Sequence, residues 1–343
     1  MSVVVACYRD SDFISRCVNS VLEHTDGIEY EVIVVNYGWS VELALPCESG
    51  GIPIRVVNIP DNIGYSEANN IGLRLARAEL VAFLNNDTIV TKGWLSELRR
   101  AVVSDDRIAA AQSKLLLLDH PDLIDSVGHV VNPLGFLRAK GYLEKDLGQY
   151  DSVTDICILQ PASCLIKKRV LDEIGFFDGD FFWGHEDTDF SIRAHLMGYR
   201  LVLAPSSVVY HKRSATLVRM PEEFIAYYSR RNIMIALVKN YQLRTLLWVL
   251  PLHLVFIVGI SLWYLQRGDL ECFGAVYRAL YWILRNARSI LRERTLVQDS
   301  RLMDDRELFR LMDPISIAEV LQRRKDGTLA KRHLTVGNRD ATT

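Results

Sequence analysis

Three carboxylates, Glu186, Asp187 and Asp189, stand directly behind two phenylalanines and a tryptophan in FFWGHEDTDFSIR, residues 181–193. Acids in the first turn of a helix complement the positive end of its dipole. Asp189 and Arg193 also have the i,i+4 spacing of a helical ion pair. Yet carboxylates crowded against aromatic walls raise one another's pKa, which suits a general base working near neutral pH. The stretch alone leaves both readings open.

Three other stretches carry residue types suited to phosphate and metal chemistry. LVAFLNNDTIV (80–90) ends an apolar run in Asn85, Asn86 and Asp87. One carboxylate beside amide oxygens suits a hard divalent ion, Mg2+ or Mn2+, although the same residues also make a plain turn. NIGYSEANNIG (62–72) sets Asn62, Gly64, Asn69 and Asn70 at a loop-to-helix entry, where backbone N–H groups can receive an anion. VVYHKRSAT (208–216) ends a strand-like run in His211, followed by Lys212, Arg213 and Ser214. It is either a metal-completing imidazole beside two diphosphate-neutralising cations or a surface histidine near a basic turn.

Such side chains need a frame. SVVVACY (2–8), YEVIVVNY (30–37), IPIRVVNI (52–59) and ELVAFLNN (79–86) are short apolar runs without alternation, as in strands buried on both faces. Helical stripes at 11–25 and 66–78 lie between them, which predicts right-handed βαβ units and an α/β sheet. Ligands of such sheets sit at the carboxyl ends of the strands, here CYRD with Tyr8, VVNYGWS with Asn36, and FLNND. Residues 101–160 read as irregular strands or a substrate loop.

The chain has 343 residues, 49% of them hydrophobic, and a net charge of −2, so nothing drives it toward nucleic acid and none is expected as a partner. The six cysteines show no metal-ligand spacing, and most sit in apolar runs, as buried, reduced thiols do. MSVVVACYRD lacks a basic segment and a long apolar run, so a buried first strand is expected there rather than a secretory signal.

After residue 220 the character changes. Residues 222–241 are helical and aromatic, and TLLWVLPLHLVFIVGISLWYL (245–265) contains no Asp, Glu, Lys or Arg. That length suffices to span a bilayer, while Pro251 and His253 also fit a broken, partly inserted helix or a buried core helix. Trp263, Tyr264 and Arg267 suit an interfacial anchor. Residues 277–296 mix aromatics with Arg278, Arg285, Arg288, Arg292 and Arg294, joined beyond by Arg301 and Arg306, as on a helix lying on an anionic membrane. The expected organisation is a domain at 1–240, a helical membrane-associated region at 241–325 and a disordered tail at 326–343.

In order and spacing, these motifs resemble the family 2 glycosyltransferases of the GT-A fold, with a rhamnosyltransferase-like subgroup nearest. The likeness covers residues 2 to about 240 and rests on SVVVACYRD, the two N-x-G repeats at 62–72, LNND, the block FFDGDFFWGHEDTDFSIRAHLMGY (176–199), the strand ending in His211, and RRN at 230–232. The resemblance implies a Rossmann-like, mostly parallel sheet flanked by helices. It implies Asp187 as the base for the acceptor hydroxyl with Glu186 alongside, Asp87 as the metal-binding acid, and His211 as a further ligand. Asn85 takes the place of the motif's first acid. Tyr8, Asn36, Asn62, Gly64, Asn70, Asn85 and Asn86 would line the donor nucleotide, and Phe182 and Trp183 would form an apolar platform for a sugar.

Besides Asn85, two positions depart from the family pattern: Asn36 stands where an aspartate contacts the base, and Pro161 where a glycine is common. The implied activity is that of an inverting hexosyltransferase. A nucleotide-diphosphate sugar, dTDP-rhamnose within this subgroup, would be the donor, with Mg2+ or Mn2+ as cofactor. The acceptor would be lipid-linked or polysaccharide, at the cytoplasmic face of the membrane. The alternative is a degenerate module that binds nucleotide or glycan without turnover. Nucleotidyl transfer would want a Gly-rich basic loop after the first strand, which CYRDSDF lacks.

Overall fold

The computed structural model describes residues 1–314 apart from 11, 42, 44 and 214–219. The expected tail at 326–343 and Ser214 therefore lie outside the described residues. The chain opens with β1 (Ser2–Tyr8), α1 (Asp12–His24), β2 (Glu31–Tyr37), β3 (Glu48–Ser49) and β4 (Ile52–Ile59). Next come α2 (Gly64–Leu75), β5 (Leu80–Asn85), β6 (Thr88–Val90) and α3 (Trp94–Val103). β7 (Ile108–Leu117), β8 (His120–Ser126), β9 (His129–Val131), β10 (Leu137–Ala139) and β11 (Thr154–Asp155) follow, then β12 (Ser163–Lys167) and α4 (Lys168–Ile174). A 3₁₀ turn (Gly179–Phe181) leads into α5 (Glu186–Leu196) and β13 (Arg200–His211). Five helices close the described chain: α6 (Glu222–Asn240), α7 (Leu243–Gln266), α8 (Leu270–Arg285), α9 (Ala287–Ser300) and α10 (Asp305–Arg310).

The main sheet runs β11-β13-β7-β12-β5-β1-β2-β4-β3, with β6 on β13 and β8 on β7. β5, β1, β2 and β4 are mutually parallel, β13 is parallel to β7, and β12 runs antiparallel between β5 and β7. Both faces are covered, which explains the unbroken apolar strands. Val3, Val5 and Cys7 point into a core shared with α1 and α3, while Val4 and Ala6 point into one beneath α2 and α5. Gly72 lets α2 sit close, since a Cβ there would lie 2.1 Å from Val4 Cγ1.

Much of the middle is regular. The ten-residue β7, IAAAQSKLLL, is nearly all buried between β12 and β13. Its alanines and leucines favour helix intrinsically, so only its place in the sheet makes it a strand.

The helices after residue 240 share one hydrophobic cluster with the sheet domain, where Tyr241, Leu246, Val249, Val297 and Leu308 meet Ile158, Ile192 and Leu196. α7 is long and apolar enough to cross a membrane, yet it buries Val249, His253, Ile257 and Ile260 on one face. Its other face exposes Leu247, Val255, Val258 and Leu262. The arginine-rich segment breaks at Asn286, between α8 and α9. Two of its expected membrane cations turn inward instead: Arg294 donates to the carbonyls of Val238 and Tyr241, and Arg301 to that of Asn240. They neutralise the negative end of α6.

Candidate active site

β5 ends where Asn85, Asn86 and Asp87 turn the chain into β6. β6 pairs antiparallel with β13, His211 opposite Thr88, and the Lys212 N–H bonds the Asp87 carbonyl at 2.9 Å. That register sets His211 Nε2 3.2 Å from Asp87 Oδ1. On the other side of the ring, His211 Nδ1 lies 2.7 Å from Asp125 Oδ2, and Arg213 pairs with Asp125 Oδ1. Burial opposes a charge on His211, but Asp87 and Asp125 outweigh it and raise the imidazole to about 10. Burial likewise opposes ionisation of Asp125, but His211 and Arg213 hold it down at about 2.

This arrangement fits a divalent cation. Asp87 offers an oxygen and His211, whose Nε2 proton an incoming ion would displace, a nitrogen at the carboxyl end of the sheet, and a carboxylate on the far ring nitrogen is what orients a metal-binding imidazole. Asn85 Oδ1 accepts the Tyr65 hydroxyl at 2.9 Å.

Asp187 occupies the first turn of α5, so the helix start and the expected position of the base coincide. Its Oδ1 accepts from the Thr188 N–H at 2.7 Å and the Thr188 hydroxyl at 3.2 Å. Oδ2 is left facing His129 Nδ1 at 3.7 Å. Glu186 is buried, its Oε2 has no hydrogen-bond partner, and burial followed by the Asp187 charge pushes its carboxyl well above the usual range. Tyr65 links the two halves of the site: its hydroxyl holds Asn85, while burial and then the charges of Glu186 and Asp187 raise its pKa.

Asp189 is fully buried and structural. It pairs with Arg193 at 2.9 Å as the i,i+4 spacing predicts, with Lys239 at 3.3 Å, and accepts from Asn240 at 2.9 Å. Burial opposes its charge, but Lys239 and Arg193 bring it down to about 2.

The loop carrying Phe182 and Trp183 is held by the RRN segment of α6. Asn232 Nδ2 donates to the carbonyls of Phe181 (2.9 Å), Trp183 (2.9 Å) and Gly184 (2.7 Å). Arg231 donates to the carbonyls of Asp180 and Phe181.

The geometry corrects the phosphate reading of the α2 entry. The N–H groups of Tyr65 and Ser66 point at the Phe182 carbonyl, at 2.7 and 3.4 Å, so a protein oxygen takes the place of an anion. Gly64 has φ +80°, and a Cβ there would lie 2.6 Å from both the Phe182 ring and its carbonyl oxygen. Asn70 is likewise spent, donating to the Phe177 carbonyl at 2.7 Å. The Phe182 ring is no open platform, because it stacks on Tyr228 with centroids 5.1 Å apart at 16°. Trp183 lies 5.7 Å from Phe224.

The remaining strand-end residues group together. Asn62 accepts from the Gly64 N–H at 3.2 Å and reaches the Tyr8 hydroxyl at 3.4 Å, and Tyr8 packs 5.3 Å from Tyr37. Asn36 is buried; its NH2 donates to Asn58 Oδ1 at 2.7 Å and to the Val41 carbonyl at 3.0 Å. Its Oδ1 is closed to solvent and has no partner among the described residues. Asn86 lies partly exposed at the turn after β5. Sequence reading missed Asp125 and His129, which lie in the poorly patterned 125–142 stretch and reach the site only through β8 and β9.

Comparison with known proteins agrees with this architecture. The chain is 26% identical over 235 residues to an uncharacterized protein, y4gI, of Sinorhizobium fredii, covering 63% of this chain and 25% of that one. It is 24% identical to the O-antigen biosynthesis protein RfbC of Myxococcus xanthus, covering 63% of this chain and 17% of that protein. It thus spans a quarter or less of those two relatives. The low-salt glycan biosynthesis hexosyltransferase Agl10 of Haloferax volcanii is 24% identical, with 69% of this chain and 75% of that one covered. Among solved structures, GalNAc-T7 with UDP, GalNAc and Mn2+ superimposes with a TM-score of 0.53 at 14% identity, over 69% of this chain and 47% of that one. The fold is GT-A. The model of "Glycosyl transferase family 2" matches residues 2–175, just over half of the chain, and the protein belongs to that family.

Proposed function

We propose that this protein is an inverting hexosyltransferase that moves a sugar from a nucleotide-diphosphate donor to a hydroxyl of a lipid-linked or polysaccharide acceptor. The observation that carries the reading is the presence of two groups: the Asp87–His211 pair, reached from Asn85 that the Tyr65 hydroxyl holds, and the Asp187 carboxylate at the start of α5. Leaving-group stabilisation and a base are the two requirements of a single displacement at an anomeric carbon.

Asp87 and His211 would hold a divalent ion, Mg2+ or Mn2+, and the ion when bound offsets the charge of the departing diphosphate. Asp125 keeps the His211 ring aimed at that position. Thr188 fixes one oxygen of Asp187 and leaves the other to take the acceptor proton. His129 Nδ1 stands opposite that oxygen at 3.7 Å. Glu186, with its carboxyl held neutral, adds no second negative charge beside the base. Related proteins, one solved with UDP and Mn2+ and another named for O-antigen biosynthesis, support donor class, metal and pathway type. Rhamnosyl transfer from a dTDP donor is the specific donor reading.

The apolar outer face of α7 supports attachment at the cytoplasmic membrane surface. In this reading residues 1–240 form the transferase domain and 241–325 the membrane-associated region, with α7 lying in the interface plane because its other face is buried on the protein.

The deciding experiment is a hydrolysis panel of UDP-, GDP- and dTDP-sugars with and without Mn2+. Metal-dependent release of one nucleotide diphosphate, abolished in Asp87→Ala, is the expected result, with Asp187→Asn abolishing sugar transfer to an acceptor. Nucleotide binding without turnover under any acceptor would instead establish the degenerate binding module.

A further inference from the structure

Asn85 stands two residues before Asp87, and its backbone is fixed on both sides. Its N–H donates to the Ala162 carbonyl at 3.0 Å, and its own carbonyl accepts the Thr88 hydroxyl at 2.7 Å. Across the sheet it lies opposite Ala6 of β1, two residues before Tyr8. The half-buried side chain thus starts from a fixed point beside two strand ends.

A carboxamide in this place can meet a ligand in two ways: oxygen first, as an acceptor or metal ligand, or nitrogen first, as a donor. Tyr65 decides between them. Its hydroxyl lies 2.9 Å from Asn85 Oδ1 and makes no other hydrogen bond among the described residues. With the amide reversed, Asn85 would donate to the hydroxyl oxygen, and the phenolic proton would have no acceptor. Leaving a buried donor unmade costs more than a typical hydrogen bond gains. Burial, then the charges of Glu186 and Asp187, raise the Tyr65 pKa, so the proton stays on the hydroxyl.

Tyr65 is itself held. Its N–H donates to the Phe182 carbonyl at 2.7 Å, its carbonyl accepts Asn69 Nδ2 at 2.9 Å, and its ring packs 6.2 Å from Phe177.

With its oxygen engaged by Tyr65, Asn85 has its NH2 group left to offer. That group bonds to no described residue, and it is not among the buried atoms shut off without a partner. An N–H donor two residues from a metal-binding acid suits the oxygens of a nucleotide, which are mostly acceptors.

We propose that Tyr65 is a positioning residue for donor binding: its hydroxyl holds the Asn85 oxygen, so that the Asn85 NH2 donates to an oxygen of the bound nucleoside diphosphate and the divalent ion is held without Asn85. The proposal rests on the transferase reading, with Asp87 and His211 at the metal.

A double-mutant cycle tests it. UDP, GDP and dTDP are titrated calorimetrically into the Mn2+-saturated parent protein, Tyr65→Phe, Asn85→Ala and the double variant, and Mn2+ alone into the same four. For the nucleotide that the parent protein binds, each single variant should lose about three- to tenfold in affinity, the size of one hydrogen bond. Mn2+ affinity should stay within about twofold. Because Tyr65 acts through Asn85, Tyr65→Phe should cost nothing further in the Asn85→Ala background. A tyrosine with only a packing role would cost the same in both backgrounds, so additive losses overturn the proposal. Unchanged nucleotide affinity in Tyr65→Phe overturns it too, as does a large fall in Mn2+ affinity in Asn85→Ala, which would make the amide oxygen a metal ligand. Asn85→Asp keeps an oxygen for the Tyr65 hydroxyl but has no N–H to donate. It should weaken nucleotide binding as Asn85→Ala does, and undiminished binding there overturns the proposal even where Tyr65→Phe is unstable. Failure of the parent protein to bind any of the three nucleotides sinks the transferase reading and this proposal with it, whereas binding with additive losses sinks the role of Tyr65 alone.

Discussion

His211 is clamped between two carboxylates, with Nε2 3.2 Å from Asp87 and Nδ1 2.7 Å from Asp125. Asp87 comes from the end of β5 and Asp125 from β8, so the clamp exists only because β6 and β8 flank the paired strands β13 and β7. The fully buried Asp125 has no route to a ligand on the far side of the ring and acts by aiming it.

Asp125→Asn should therefore weaken Mn2+ binding about 10- to 100-fold, the usual effect of losing an outer carboxylate behind a metal-binding histidine. Calorimetric titration of Mn2+ into the folded variant measures it. Unchanged affinity would remove Asp125 from the site.

Gly64 touches Phe182 as closely as a backbone can. Gly64→Ala brings a Cβ against the Phe182 carbonyl at φ +80° and should displace the loop that leads into Asp187. The expected cost is about 1–3 kcal/mol of stability and at least a tenfold loss of kcat. Chemical denaturation together with steady-state transfer assays gives both values.

Glu186 makes stability depend on pH in a defined direction. Its folded carboxyl titrates above the unfolded one because of burial and Asp187, so the native state binds a proton that the unfolded chain has released. Its contribution is fully present below the ordinary glutamate range and is lost as pH rises from there through the raised native value. Glu186→Gln should remove that loss, becoming more stable relative to the parent protein as pH rises from 5 to 8 by about 1 kcal/mol or more. Urea midpoints of both proteins across this range test the sign. A parallel pair of profiles would refute it.

Asp189 acts in the opposite sense. Its pKa is lowered to about 2, so its contribution is present above the unfolded aspartate value and disappears as pH falls through about 2. At neutral pH, Asp189→Ala leaves Lys239 buried with only Asp178 as a partner, and Arg193 buried with none but carbonyls. A loss of about 3–5 kcal/mol is expected, read from the denaturation midpoint. A change below about 1 kcal/mol would show the cluster to be dispensable.

Local pattern determined a good deal of this protein. Four unalternating apolar runs announced strands covered on both faces, and the helical stripes between them announced βαβ units. Asp87, His211 and Asp187 stood out because a polar side chain ending an apolar strand, or an acid opening a helix, is a local event. The same locality explains what was misjudged. An Asn-Gly-rich helix entry looks identical whether its N–H groups receive a phosphate or the Phe182 carbonyl, and a residue 117 positions beyond Tyr65 decides which. β7 has the composition of a helix and is a strand because β12 and β13 hydrogen-bond it on both sides. Asp125 and His129 carry no spacing signal, since their partners His211 and Asp187 lie 86 and 58 residues away. Arg294 and Arg301 are indistinguishable in sequence from membrane-facing arginines until the end of α6 is placed beneath them. Apart from β7, strand and helix identity in these stretches follows from periodicity along the chain, whereas the partner of a buried charge follows from long-range packing, which no local pattern encodes.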